Sequence, residues 1–308
     1  MTLILDKATT IGCLDLGKLV DEIGEGMAAL SRGEAVQPLR TRVFSKKTGG
    51  LLASLPCYLA GDELFSAKLG FSHPTLRDAD GTRHLTQIIA LGDTEGRLLC
   101  VMHGTLLGMY RTAACSALAA KFLTSTQASH LAVIGCGPMG QAEAQVMATV
   151  RPLSRITAYD LNPEAAERFR RHVETATGIG VTLCSSSEQA VDGADIVSLA
   201  TTSHDPVIKR EWLTDNCHVS ALGALLGLPC RNLLLLAVGR SRSLSLELLL
   251  AGLQSSQALS APLQIARHGR TVGIGAELAV LAGIRRLGLR QHPVDLLPDR
   301  AGRAVGVQ

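Results

Sequence analysis

Six residues near the middle of the chain leave little freedom in how the surrounding segment folds. Gly135-Cys136-Gly137-Pro138-Met139-Gly140 fits G-x-G-x-x-G. It follows the apolar run His130-Leu131-Ala132-Val133-Ile134, which reads as a buried strand. It precedes Pro138–Val150, where Ala142, Val146 and Val150 mark a helix face. A second strand, Ile156–Tyr159, ends in Asp160, about 20 residues beyond the last glycine. In such a strand–turn–helix unit each glycine has a job. Gly135 permits the tight turn, Gly137 lets a pyrophosphate approach the backbone, and Gly140 lets the helix close on the sheet. The helix start, with Pro138 and Met139 in its first turn, offers free N–H groups and a positive dipole end to phosphate. Asp160 then accepts hydrogen bonds from a ribose and repels a 2′-phosphate, which favours NAD over NADP.

Strands and helices alternate onward from this loop. Glu164–Thr177 reads as a helix, Val181–Cys184 as a strand, Ser187–Val191 as a short helix and Ile196–Ala200 as a strand. The expected class is α/β, a Rossmann-type doubly wound parallel sheet with a smaller α+β domain. Ligands of such sheets sit outside the carboxyl ends of the strands, so Thr201 and Thr202 are candidates for the cofactor. Residues 14–32 read as an amphipathic helix closed by Gly33. Residues 39–110 read as antiparallel strands at Leu51–Leu59, Leu64–Lys68, Gln87–Leu91 and Leu98–His103, the last two joined by a turn at 92–96. Arg111–Leu123 is Ala-rich and helix-favouring.

The chain has 308 residues and a net charge of +3, with no cluster of Lys and Arg, so nucleic acid is not an expected partner. The eight cysteines are scattered without metal-ligand spacing, the pattern of reduced thiols in a cytoplasmic protein, and no metal is expected. An acidic residue at Asp6 and no long apolar stretch argue against a signal peptide. The apolar stretch Cys217–Gly239 carries Arg231, Gly223, Gly227 and Pro229, which suits a buried strand and loop better than a membrane span.

The segment Arg111-Thr112-Ala113-Ala114-Cys115-Ser116-Ala117, feeding a helix and then this glycine loop, resembles the ornithine cyclodeaminase/mu-crystallin family. Pro38-Leu39-Arg40, Ala67-Lys68 and Tyr159-Asp160 add to the resemblance, and Asp299–Val305 loosely matches the family's ending. The resemblance implies hydride transfer between NAD and the α-carbon of a small amino or imino acid. It implies that Arg40, Lys68 and Arg111 hold the substrate carboxylate, with Lys68 and Arg111 as the catalytic pair and Thr112 near the cofactor. It also implies a homodimer. In that reading residues 1–117 with 288–308 form the substrate and dimerisation domain, and 118–287 the NAD-binding domain. Each of these three cations, read alone, is more readily a solvated surface charge; the family pattern reverses that for Arg111 and Lys68, and less firmly for Arg40, since Arg42 lies beside it. His84 lies where the family carries a pocket histidine, Glu277 resembles a position in the final helix, and Trp212 is expected to pack in the core.

One departure matters. Leu225 stands where cyclodeaminases of the family carry an acid that assists ammonia loss, and leucine can neither give nor take a proton. From Cys217 to Ala276 the only acidic residue is Glu247, and no lysine follows Lys209. This pattern suits a changed reading frame or drift after loss of an activity, and equally a Leu-rich helical segment. Imine reduction or amino-acid dehydrogenation is therefore favoured over cyclodeamination. The alternative is a catalytically impaired protein that binds NAD and a small ligand.

Overall fold

A computed structural model describes residues 1–78, 83–203 and 205–222. The expectations attached to Leu225, the 225–270 stretch, Glu277 and the end of the chain lie outside those residues.

The first unit runs β1 (Leu3–Leu5), α1 (Lys7–Gly12), α2 (Leu16–Ser31), β2 (Ala35–Val36), β3 (Thr41–Phe44), β4 (Leu51–Leu59), β5 (Leu64–Arg77), β6 (Arg83–Asp93) and β7 (Leu98–His103). These strands form a seven-stranded sheet in the order β1-β7-β6-β5-β4-β2, with β3 also paired to β4. All pairings are antiparallel except β1 with β7. The turn expected at 92–96 is present, with Gly96 at φ 83° and the Asp93 carboxylate accepting from the N–H groups of Glu95 and Arg97. β5 continues past Lys68 because it stays paired with β6 as far as Ser72 opposite Leu85. Pairing turns irregular before Arg77, a stretch that contains Pro74, which has no N–H to give a ladder.

Side chains alternate across these strands. Leu55, Cys57, Leu59, Ile89, Leu91, Cys100 and Met102 are buried on the face turned towards the helices. Phe65, Phe71 and Leu98 on the other face are about half exposed.

α3 (Thr105–Leu123) joins the two units and begins six residues before the expected Arg111. Its start is set by a tertiary contact, Gly104 N–H donating to Gln87 O at 2.7 Å. Ala113, Ala114, Ala117 and Ala120 are buried to 1% exposure or less. Small side chains there let α2 and the next helix approach closely. That helix is α4 (Pro138–Val150), which follows β8 (His130–Ile134). The remaining elements are β9 (Arg155–Tyr159), α5 (Pro163–Thr177), β10 (Val181–Leu183), α6 (Ser187–Val191), β11 (Ile196–Leu199) and β12 (His218–Ala221).

These five strands are all parallel, in the order β10-β9-β8-β11-β12. β8 is buried at all five positions, as a central strand covered on both faces must be. Chain direction across the sheet reverses between β8 and β11, the place where such sheets open a crevice. Buried Arg151, just after α4, donates to the carbonyls of Ala120, Lys121 and Thr124 at 2.9, 2.7 and 3.2 Å. A cation on the carbonyls at this helix end closes the C-terminus of α3 and ties it to the parallel sheet unit. Among the described residues no helix is long and apolar enough to cross a membrane, and all seven cysteines are free thiols.

Candidate active site

The glycine loop sits at that crevice. Gly135 has φ 99°, in the region that favours glycine. A Cβ there would lie 2.8 Å from the Ala200 carbonyl and 2.9 Å from the Thr201 nitrogen. The end of β11 therefore runs directly against the turn. A Cβ on Gly140 would collide with the Gly135 carbonyl oxygen and stand 3.2 Å from Val133 Cγ1, so this glycine permits the helix to close on the strand. A Cβ on Gly137 would meet nothing within 4 Å. The three sequence-assigned roles thus separate in space: two glycines make room for the protein itself, and one faces an open cradle. α4 has no side-chain cap, and the N–H groups of Gly137, Met139 and Gly140 make no hydrogen bond among the described residues. Open, aligned amides at a helix start suit a phosphate.

Gly140→Ala is expected to lower stability by about 1–3 kcal/mol through overpacking, seen as a drop in Tm. Gly137→Ala is expected to melt with the wild type. Equal melting of all three proteins would contradict this placement of the loop.

Asp160 is half-buried at the end of β9 and has a task before any ribose arrives. Its Oδ2 accepts from Cys136 N–H at 2.7 Å and its Oδ1 from Asn162 N–H at 2.8 Å. It holds the loop shut, and its remaining lone pairs are available to a sugar. Cys136 is buried beside it; burial first and the Asp160 charge second push its thiol up to about 12, so it stays neutral. Thr201 lies at the loop, its Oγ1 accepting from Ser203 N–H at 3.1 Å, while Thr202 is exposed. Thr112 donates its hydroxyl proton to Gly108 O at 2.8 Å within its own helix, so only its oxygen lone pairs remain for a ligand.

The cation set divides. Arg111 on α3 is 8% exposed and Lys68 on β5 is 4% exposed. Lys68 pairs across the sheet with Leu55 and Ile89, both core residues, so it stands on the helix-covered face. Arg111 Nε and Nη1 are buried without a hydrogen-bond partner among the described residues. Unpaired buried guanidinium nitrogens are costly and suit an incoming anion. Arg40 lies between β2 and β3 and is exposed, so the structure does not bury it with the other two.

A scan against protein families places residues 2–227 in the ornithine cyclodeaminase/mu-crystallin family. The chain belongs to that family. Among its relatives, the ketimine reductase mu-crystallin of Macropus fuliginosus is 30% identical over 195 residues, 63% of this chain and 61% of that protein. Among solved structures, the Δ1-pyrroline-2-carboxylate reductase of Thermococcus litoralis, in complex with NADH and L-proline, has 26% identity and a TM-score of 0.66, covering 72% of this chain and 69% of that one. An archaeal alanine dehydrogenase dimer with bound NAD has 27% identity and a TM-score of 0.63, covering 71% and 66%. The chain thus spans 61% of the length of that mu-crystallin relative, and 69% and 66% of the two solved proteins.

One residue of this family member escaped the reading of its sequence. Glu143 on α4 is 1% exposed, and Ser198 Oγ of β11 donates to its Oε2 at 2.7 Å. Burial pushes its carboxyl up to about 8, against the opposing hydrogen bonds of Ser198 and of Ser116 on α3. Its other oxygen, Oε1, lacks a well-formed partner. The signal was the stripe Met139, Glu143 and Met147, where an acid occupies an apolar helical repeat. Among the other candidates, His84 is exposed and pairs with Asp78 at 2.6 Å. Trp212 is half-buried, with Lys209 Nζ 5.2 Å from its ring centre. Among the described residues no group of His, Cys, Asp and Glu could hold a metal ion.

Proposed function

We propose that this chain is an NAD-dependent enzyme that reduces a small cyclic or α-imino acid, or dehydrogenates the corresponding amino acid. The observation that carries the reading is the buried, unpartnered edge of Arg111 beside the α3-covered face that bears Lys68. Both side chains only donate, and a substrate carboxylate would supply the acceptors that the two Arg111 nitrogens need. When bound, the nicotinamide supplies or takes up a hydride at the substrate α-carbon. The chain's own part is to hold the diphosphate on the open amides at 137–140, keep the loop closed through Asp160, and fix the carboxylate so that the α-carbon is correctly placed.

NAD fits the site on its chemistry, because Asp160 places a negative charge where a 2′-phosphate would otherwise sit. The relatives solved with NADH and with NAD support the same choice. Leu225 in place of an acid supports reduction or dehydrogenation over ammonia elimination. Arg40 would belong to the site as a rim cation. The proposed division, 1–117 with 288–308 for substrate and dimerisation and 118–287 for NAD, and a cytoplasmic location belong to the same reading. A homodimer is supported by an apolar groove of about 460 Å³ on the open face of the seven-stranded sheet, lined by Tyr58, Phe65, Ala67 and Leu98.

The test is NADH absorbance at 340 nm, with pyrroline-2-carboxylate or with pyruvate and ammonium. Steady NADH loss supports the enzyme. Tight NADH binding without turnover across such a panel supports the alternative of an impaired binder. Gly137→Ala separates folding from binding: it is expected to melt normally yet lose NADH affinity by at least about tenfold, because its methyl enters the phosphate cradle. Undiminished affinity would contradict the site.

A further inference from the structure

β5 and β6 set Gly70 opposite Gln87 and Lys68 opposite Ile89. Alternation along each strand sends these four residues to one face of the sheet. α3 covers that face, since Ile89 and Leu107 share one buried cluster. Gln87 fills the space that its glycine neighbours leave. Its Cγ and Nε2 lie 3.6 Å from the Cβ position of Gly70, its Cβ 3.3 Å from that of Gly104, and its Oε1 2.5 Å from that of Gly108. Its backbone is pinned at both groups: Gln87 N–H donates to Thr105 Oγ1 at 3.0 Å, and Gln87 O accepts from Gly104 N–H at 2.7 Å. The carboxamide is half-buried and makes no hydrogen bond among the described residues. Its amide atoms are not closed off from solvent, so they remain open to a ligand.

The position of this amide is informative. Arg111 is three residues beyond Gly108, on the same side of α3. Lys68 is one cross-strand pair along from Gln87, within reach of long side chains. Register and helix spacing thus place an ammonium, a guanidinium and a carboxamide along one seam between sheet and helix. The first two can bind a carboxylate, yet neither can accept a proton-bearing nitrogen. An amino or imino acid brings both groups. The amide oxygen of Gln87 is a neutral acceptor at the same seam.

We infer that Gln87 is a substrate-binding residue whose carboxamide oxygen accepts the N–H of the substrate's α-nitrogen while Arg111 and Lys68 hold its carboxylate. This rests on the carboxylate site proposed above. It makes the seam selective for α-amino and α-imino acids over acids without a hydrogen-bond donor at that position.

Calorimetry on the full chain with saturating NAD tests it, using L-proline and cyclopentanecarboxylate, which share a ring and a carboxylate but differ in the N–H. Gln87→Leu is expected to weaken proline binding about tenfold while cyclopentanecarboxylate changes by less than about threefold. Gln87→Glu keeps an acceptor and should keep the preference. Gly108→Ala, which pushes the amide from the helix side without removing it, should also reduce the preference and serves if Gln87→Leu does not fold. Equal weakening of both ligands would make Gln87 a packing residue and overturn the inference, as would an unchanged preference. Wild-type binding of both acids without discrimination would sink the Gln87 assignment alone. Binding of neither would remove the carboxylate site beneath it as well.

Discussion

Arg111→Ala is expected to lower kcat/KM by about 30-fold to several thousand-fold while leaving NADH affinity within about threefold. The range corresponds to the roughly 2–5 kcal/mol lost when one partner of a buried, hydrogen-bonded charge pair is removed. Arg111 is nearly buried, and two of its nitrogens await an acceptor. Alanine removes the fork that would grip the carboxylate, and Lys68 is left as a single point charge. The glycine loop is built from backbone groups and Asp160, none of which Arg111 hydrogen-bonds among the described residues, so cofactor binding is expected to be spared. Arg111→Lys should recover only part of the loss, because an ammonium cannot reproduce two parallel N–H bonds. Steady-state kinetics with calorimetry for NADH measure both quantities. A variant that turns over normally would place the carboxylate elsewhere.

The second large effect belongs to Glu143 and to pH. Its folded carboxyl lies at about 8, above the ordinary value of 4.5, with burial as the main cause. Below pH 4.5 the group is protonated in folded and unfolded chains alike, and the fold bears no penalty from it. As pH rises from there the unfolded chain ionises while the fold retains the proton. Stability is therefore lost progressively until pH passes about 8, beyond which this contribution levels off. Linkage makes the full loss on the order of 5 kcal/mol. Glu143→Gln keeps the shape and an acceptor for Ser198 but cannot ionise. Its stability is expected to gain on the wild type steadily between pH 4.5 and 8. Denaturant unfolding at pH 5, 6.5 and 8 measures the difference. Two curves that stay parallel would show that the fold does not hold Glu143 neutral.

Glu143 also explains why such a group was hard to see in advance. The helix period flags an acid on an apolar stripe, and the same pattern is produced by an exposed helix edge. Only the docking of α3 and β11, which bring Ser116 and Ser198 to it, turns that acid into a buried one. The start of α3 followed the same logic. Its first turn contains Gly108, a poor helix former, and owes its position to the contact between Gly104 and Gln87 on β6.

What could be read directly was whatever local backbone geometry demands. A left-handed turn and a helix that must touch its strand each require glycine at a set spacing, so the structural roles of Gly135 and Gly140 were legible, as was the open position at Gly137. Asp160 was legible too, because it ends the next strand at a distance that the unit itself dictates. The alternation of apolar runs revealed the parallel sheet for the same reason. The proposed substrate side rests on tertiary structure alone. Whether Lys68, Gln87 and Arg111 share a surface depends on the pairing of β5 with β6 and on where α3 lies across them. Arg40, which resembles the others in sequence, came out exposed. Those contacts join residues far apart in the chain, and no short-range preference records them.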